Sequence, residues 1–190
     1  MEKLKERILR DGLAIGTEIV KVDSFLNHQL DVEFLYMLGA EFRRRFADTG
    51  PEKILTMEAS GIPVACMAAM HFHNIPVVFA KKAAPSTMTE GFYTAEVSSF
   101  TKGVISQARV SQKFIRAGER ILIIDDFLAH GEAALGLLSL IEQAQAQALG
   151  LGVVIEKEFQ GGRARLREKG CRVESLAIIT HIKDGVINFK

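Results

Sequence analysis

Short apolar runs alternate along this chain with longer segments in which apolar residues recur every three or four positions. Unbroken apolar runs predict strands that are buried on both faces of a sheet, and the longer spacing predicts helices. The strand-like runs are 53–57, 77–80, 121–124 and 151–155, and the main helical segments are 31–46, 61–73 and 131–148. This alternation predicts an α/β fold with a mainly parallel sheet flanked by helices on both faces.

Two regions interrupt the alternation of strands and helices. Residues 82–109 begin with a polar, broken stretch and continue as two strand-like runs, which predicts a long hairpin that acts as a mobile lid or is a plain surface hairpin. The strand-like runs 18–26, 172–182 and 186–189 are expected to form a small hood lobe, because no crossover helix is evident among them. We expect one domain over 1–190, with a core at about 31–156, a hood at about 1–30 and 157–190, and a lid at about 82–109.

Composition and charge limit the function. The chain has 190 residues, 48% of them hydrophobic and 25% charged, as is typical of a globular protein. A formal net charge of +1 does not favour nucleic acid as the main partner. Cys66 and Cys171 lack metal-binding spacing and are expected to be buried free thiols. The first residues lack an apolar signal core and no run is long enough to span a membrane, so we expect a cytoplasmic enzyme or regulator.

The strand-like run 121–124 ends at two adjacent carboxylates, Asp125 and Asp126. Open parallel sheets bind ligands at the carboxyl ends of their strands, and a helix N-terminus offers free N–H groups to a phosphate. The segment therefore predicts a cradle for an anion beside two acceptors for sugar hydroxyls. The simpler alternative is a buried strand with two surface acids before an ordinary helix. The cradle residues are Ala129, His130, Gly131, Glu132 and Ala133.

Two other predicted strands also end at residues that suit an anion. After the strand 53–57 comes a short loop, in which Ser60 and Gly61 can present N–H groups. Lys81 and Lys82 follow the strand 77–80 and can neutralise a pyrophosphate, with Lys102 reaching from the hairpin. The alternative is a common strand–helix turn followed by solvated lysines.

A lysine and an aromatic residue follow the strand 151–155. Lys157 can donate a charge-assisted hydrogen bond to an exocyclic oxygen, and Phe159 can stack on a heterocycle. The alternatives are a salt bridge from Lys157 to Glu156 or Glu158 and a purely structural aromatic side chain.

The segment 121–133 reads ILIIDDFLAHGEA and resembles the 5-phosphoribosyl 1-pyrophosphate (PRPP) motif of the type I phosphoribosyltransferases. Nearly the whole chain is similar to the bacterial purine-salvage members of that family that act on xanthine. The matching segments are KVDSFLNHQ at 21–29, SGI at 60–62, VVFAKK at 77–82, SFTK at 99–102, IIDDFLA at 123–129, VIEKEFQ at 154–160 and RVESLA at 172–177.

The resemblance implies roles for the residues singled out above. It implies that Asp125 and Asp126 hold the ribose hydroxyls, that the 129–133 loop binds the 5′-phosphate, and that the loop around Ala59 and Ser60 binds pyrophosphate. It also implies that Val20 and Asn27 contact the purine from the hood, with Lys157 on the opposite side. The family loop is usually Thr-Gly-Gly-Thr-like, so the present loop lacks threonine hydroxyls. His130 either replaces one of these hydroxyls or simply faces solvent.

The resemblance further implies the reaction, a transfer of 5-phosphoribosyl from PRPP to xanthine that gives xanthosine 5′-monophosphate and pyrophosphate. Mg²⁺ would be bound mainly through PRPP and pyrophosphate rather than by a dedicated protein site. Asn27 is expected to serve the 2-oxo group of the purine and Lys157 its 6-oxo group. The family is typically homodimeric. The alternatives are an adenine or a guanine/hypoxanthine phosphoribosyltransferase, or a transcriptional regulator that senses PRPP.

Overall fold

The computed structural model describes residues 1–82, 91–99 and 104–190. The helices are α1 (Glu2–Asp11), α2 (Val32–Arg45), α3 (Gly61–His71), α4 (Glu132–Gln143) and α5 (Gly162–Glu168). The strands are β1 (Leu13–Ile15), β2 (Ile19–Lys21), β3 (Lys53–Met57), β4 (Val77–Ala80), β5 (Phe92–Ser99), β6 (Val104–Ser111), β7 (Arg120–Leu128), β8 (Gln147–Lys157), β9 (Val173–Lys183) and β10 (Val186–Phe189).

A six-stranded sheet with the strand order β10-β9-β8-β7-β3-β4 forms the centre of the molecule. The neighbouring pairs from β4 to β9 are all parallel, and only β10 runs antiparallel to its neighbour β9. The prediction of an α/β fold with a mainly parallel sheet flanked by helices is therefore confirmed.

Hydrophobic residues cover both faces of this sheet, as the apolar runs predicted. Successive side chains of a strand point to opposite faces. Leu122 and Ile124 accordingly pack in one core cluster, which includes residues of α2 and α3. Ile121 and Ile123 pack in a second cluster with residues of α4. The strand that leads to the paired acids is thus fixed from both sides.

The N-terminal segment differs from the predicted strand at 18–26. Only Ile19–Lys21 form a strand, which pairs antiparallel with β1 in a separate two-stranded sheet. Asp23–Asn27 form a π-helical turn. The consecutive residues Phe25 and Leu26 are both fully buried. In a strand that is covered on one face only, one of two consecutive side chains would point to solvent.

The C-terminal boundary of the expected hood also differs from the structure. β9 pairs in parallel with β8, so most of the segment after 172 belongs to the central sheet. The short helix α5 forms the crossover between these two parallel strands, as such a connection requires. The predicted helix 131–148 is shorter as well, since Gln145 has a φ of 54° and β8 begins at Gln147.

β5 and β6 form the expected antiparallel hairpin, in the register Phe92↔Ser111 to Ser99↔Val104. Lys81 joins the base of this hairpin through paired backbone hydrogen bonds with Arg109, at 3.0 and 2.9 Å. Residues 83–90 and Lys102 lie outside the described residues, so the role of 82–109 as a lid stays a prediction. Among the helices of the described segments, none combines the length and the apolar character that crossing a membrane requires.

Candidate active site

The two acids lie near the carboxyl end of β7 in different environments. Asp125 is only 6% exposed, whereas Asp126 is half-buried. The backbone N–H of Asp126 donates to Asp125 Oδ1 at 3.0 Å. Burial, followed by the neighbouring Asp126 carboxylate, raises the pKa of Asp125 well above its usual range. The pair therefore consists of one deeply placed carboxyl group and one more accessible one.

Two residues of the N-terminal segment, Glu18 and Asn27, contact the ends of two central strands. Asn27 Nδ2 donates to Asp126 Oδ2 at 2.6 Å, at the end of β7. Lys157 Nζ, at the end of β8, donates to the backbone oxygen of Glu18 at 3.1 Å. The structure thus brings Asn27, Lys157 and Asp126 to the same edge of the sheet. Sequence reasoning missed the part played by Glu18, since a backbone carbonyl leaves no signal in the sequence.

The surroundings of Lys157 decide between the alternatives left open for it. Glu156 pairs with Arg163 and Glu158 with Lys190, so neither forms the salt bridge with Lys157 that was considered. Burial lowers the pKa of Lys157, because the charged ammonium is partly removed from water.

The remaining two predicted purine contacts, Val20 and Phe159, are close in sequence to Glu18 and Lys157 respectively. Val20 follows Glu18 closely in the hood and is buried. Phe159 lies in a short turn, Glu158–Gln160, directly after β8 and is 38% exposed. An aromatic ring that is exposed to this degree is available to a ligand rather than enclosed in the core.

The 129–133 loop connects β7 to α4. Gly131 has a φ of 87°, in the left-handed region that favours glycine. Within the part of the chain that the structure describes, the amides of 131–134 donate to no backbone oxygen outside α4. These amides can therefore donate to an anion at the start of the helix.

The start of α5 braces this loop from behind. Gly162 N donates to Ala129 O at 3.1 Å, and His130 Nδ1 donates to Gln160 O at 3.1 Å. Gly162 is required there, because a Cβ would meet Ala129 O and lie 2.9 Å from Gly131 N. His130 is thus bonded to the protein rather than simply facing solvent. The adjacent glycines at 161 and 162, at the start of α5, are the sequence signal for this close approach.

The loop after β3 meets the residues after β4 beside the paired acids. The Glu58–Ala59 peptide bond is cis, and Lys82 N donates to Glu58 Oε1 at 2.5 Å. A Cβ on Gly61 would lie 2.5 Å from Asp125 Oδ1, so the start of α3 is in close contact with the buried acid. The charge of Lys82 partly opposes the rise in the pKa of Asp125. Ser60 immediately precedes α3, and the ammonium of Lys81 lies 5.7 Å from the ring centroid of Phe79.

A buried ion pair supports both the lysine and the loop. Arg163 donates from Nε to Glu156 Oε1 at 2.8 Å and from Nη2 to Oε2 at 2.5 Å. The same guanidinium donates to Ser175 Oγ at 2.9 Å and to Val173 O at 3.0 Å. Sequence reasoning did not find this network, because its members lie on β8, α5 and β9 and meet only in the folded chain.

No group of three or more His, Cys, Asp and Glu side chains within the described ranges is arranged to hold a metal ion.

Comparison with known proteins gave matches in sequence and in structure. The family model described as "Phosphoribosyl transferase domain" matches residues 34–186. The "Xanthine phosphoribosyltransferase" of Clostridium novyi (strain NT) is 53% identical over 190 residues, covering 100% of both chains. That of Clostridioides difficile (strain 630) is 50% identical, again over 100% of both.

Solved structures with the same fold include two adenine phosphoribosyltransferases. The one from Rhodothermus marinus DSM 4252 has a TM-score of 0.76 at 19% identity, covering 94% of this chain and 100% of that chain. The one from Saccharomyces cerevisiae has a TM-score of 0.72 at 20% identity, covering 93% and 99%. At such identities the likeness shows the fold alone.

Proposed function

This chain belongs to the phosphoribosyl transferase domain family, and we propose that it transfers the 5-phosphoribosyl group of PRPP to xanthine. The products are xanthosine 5′-monophosphate and pyrophosphate, which makes the reaction a step of purine salvage. The observation that carries this proposal is the likeness, over the full length and at about half of all positions, to relatives named for xanthine.

PRPP binding is assigned to the edge of the sheet where β3, β4 and β7 end. The 129–133 loop receives the 5′-phosphate through its amides, and the loop at Ala59 and Ser60 with Lys81, Lys82 and Lys102 receives pyrophosphate. Asp126 is the more accessible acceptor for a ribose hydroxyl, with Asp125 behind it. As the bond to pyrophosphate breaks, positive charge develops on the ribose, and nearby carboxylates stabilise it.

The purine is assigned to the space between the hood and the end of β8. Asn27 donates to the 2-oxo group and Lys157 to the 6-oxo group, while Val20 and Phe159 pack against the ring. In the free protein these donors bond to Asp126 and to Glu18 O, so purine binding exchanges protein acceptors for ligand acceptors. A site built on hydrogen bonds rejects an analogue that lacks a partner more strongly than an apolar pocket does.

The donor set suits Mg²⁺ delivered with the substrate. Mg²⁺ keeps several waters and prefers one or two carboxylates plus phosphate oxygens, which matches two adjacent acids beside a phosphate site. When bound, the ion would neutralise charge on the pyrophosphate leaving group.

We further propose that the protein acts in the cytoplasm as a homodimer, with xanthine and PRPP as its ligands and without nucleic acid as a partner. The near-balanced charge, +1 in total, supports the last point, because nucleic-acid binding relies on clustered positive charge. Sedimentation of the purified protein tests the dimer.

The experiment that tests the reaction offers purified protein PRPP, Mg²⁺ and one purine at a time, with chromatographic detection of the nucleotide. Xanthine is expected to give the highest kcat/KM, followed by guanine and hypoxanthine. Adenine lacks the oxygen to which Lys157 donates and is expected to react least. Faster conversion of adenine than of xanthine would overturn the proposal.

A further inference from the structure

The loop assigned to the 5′-phosphate carries a carboxylate of its own. Glu132 is the first residue of α4, at the helix end whose N–H groups face the proposed phosphate. A carboxylate stabilises a helix start when no ligand is present, but it repels a phosphate dianion bound at the same place. Phosphate binding there requires that the charge of Glu132 be offset.

Arg165 on α5 supplies the opposite charge. Its Nη1 lies 2.5 Å from Glu132 Oε1 and also donates to His130 O at 2.7 Å. The side chains of Arg165 and Glu132 are 44% and 21% exposed, so the pair lies at the border of the loop rather than in the core. One nitrogen thus contacts both the loop backbone and the loop carboxylate.

The element that carries Arg165 is itself held firmly in place. Gly162 N is bonded to Ala129 O, and Arg163 is bonded to the buried Glu156. These two contacts hold the start of α5 against the loop and so place Arg165, which follows on the same helix, within reach of Glu132.

We infer that Arg165 is a positioning residue for the 5′-phosphate of PRPP, which acts by neutralising Glu132 and by holding the His130 carbonyl away from the anion. This inference rests on the proposed function, because it takes the 129–133 loop as the phosphate site. It adds a residue outside the loop on which the affinity for one end of the substrate depends.

The test separates the two anionic ends of PRPP by calorimetric titration with ribose 5-phosphate and, separately, with pyrophosphate. Arg165→Gln is expected to weaken ribose 5-phosphate binding by up to about fivefold, the range of a partly exposed charge pair, and to leave pyrophosphate binding unchanged. Arg165→Lys, which keeps the charge, is expected to retain more of the affinity than Arg165→Gln. The double variant Glu132→Gln/Arg165→Gln is expected to recover affinity relative to Arg165→Gln.

The matched control is Arg167→Gln, which removes the same charge from an exposed position of the same helix. It is expected to bind both anions as the wild type does. The inference is overturned if Arg165→Gln binds ribose 5-phosphate normally, if both anions weaken equally, if Arg167→Gln has the same effect, or if the double variant shows no recovery. Failure of the wild type to bind ribose 5-phosphate would instead overturn the proposed function, and thermal melting of each variant verifies that it is folded.

Discussion

Asn27 and Asp126 are 99 positions apart in the chain, yet Asn27 Nδ2 lies 2.6 Å from Asp126 Oδ2. The bond joins the residue assigned to the purine with the acid assigned to the ribose. In the free protein each satisfies the other, so neither polar group is left without a partner at a half-buried site. Substrate binding replaces this one bond by two bonds to ligands.

Replacement of Asn27 by alanine is expected to abolish the preference for xanthine over hypoxanthine. The two purines differ at the 2-oxo group, and loss of its donor removes an interaction worth about 1–2 kcal/mol, or roughly tenfold in selectivity. The ratio of kcat/KM for the two purines measures this effect. His28→Ala, at the exposed neighbouring position, is the control and is expected to keep the wild-type ratio.

Replacement of Lys157 by alanine is expected to weaken the use of xanthine, guanine and hypoxanthine alike. All three carry the 6-oxo group, and a charge-assisted hydrogen bond contributes about 1.5–3 kcal/mol, or at least roughly tenfold in kcat/KM. Steady-state kinetics with each purine measures the loss. If this variant and Asn27→Ala both keep the wild-type order of purines, the assignment of the purine site is wrong.

Alanine substitutions at two neighbouring glycines distinguish the effect of a steric clash from that of backbone strain. Gly162→Ala places a Cβ against Ala129 O and Gly131 N and is expected to raise the KM for PRPP, because the 129–133 loop must move. Gly161 has a φ of 75° and open space around it, so Gly161→Ala is expected to lower stability by about 1 kcal/mol without a change in that KM. Equal KM values for the two variants would show that the loop does not depend on this contact.

The buried acid is expected to make stability dependent on pH. Burial and the Asp126 carboxylate raise the pKa of Asp125, so the folded protein binds this proton more tightly than the unfolded chain does. Below about pH 4, the pKa of an ordinary aspartate in the unfolded chain, both states bind the proton and burial of Asp125 costs no stability through ionisation. As the pH rises above it, stability falls until the pKa of the folded state is passed.

Asp125→Asn removes this loss and keeps an oxygen that accepts from the Asp126 N–H. Its Tm is therefore expected to exceed that of the wild type by a margin that grows from pH 4 upward, as measured by calorimetry between pH 4 and 8. Asp184→Asn, at an exposed turn, is the control and is expected to show no such growth. A Tm for Asp125→Asn below the wild-type value at every pH would argue against the penalty of burial.

Loss of the buried ion pair is expected to destabilise the fold. Arg163→Met leaves the Glu156 carboxylate, which is 1% exposed, without its guanidinium partner, at a penalty of about 3 kcal/mol. The double variant Glu156→Gln/Arg163→Met removes the unpaired charge and is expected to recover part of the Tm. Arg44→Met, at a side chain that is 72% exposed, is expected to leave the Tm close to the wild-type value.

The sequence predicted the parts of the site that lie in one continuous segment. The apolar run before Asp125 and the glycine at 131 were sufficient for a buried strand, a turn and a helix start, because each depends on local pattern and backbone preference. The contacts of Arg163 and Arg165 were missed, since both residues are ordinary charged positions of a short helix until the fold brings them to Glu156 and Glu132.

The error at the C-terminus has a related physical cause. The runs at 172–182 and 186–189 were assigned to the hood because no crossover helix separates them. The pairing of β9 with β8, which places the segment in the central sheet, forms only in the folded chain. Likewise, the rough alternation of apolar residues over 18–26 predicted a strand, whereas the tertiary burial of both Phe25 and Leu26 decides the shape of the turn at Asp23–Asn27.

The connection from β8 to α5 has a consequence for changes of chain length. Lys157 is the last residue of β8, and Gly162, which supports the 129–133 loop, is the first residue of α5. The few residues between them therefore set the distance between the proposed purine site and the proposed 5′-phosphate site. An added or deleted residue there would alter that distance, although it would lie in an exposed turn of the kind where insertions are usually harmless. Variation in length among proteins of this design should therefore be sparse at 158–161 and freer at the turn between β9 and β10.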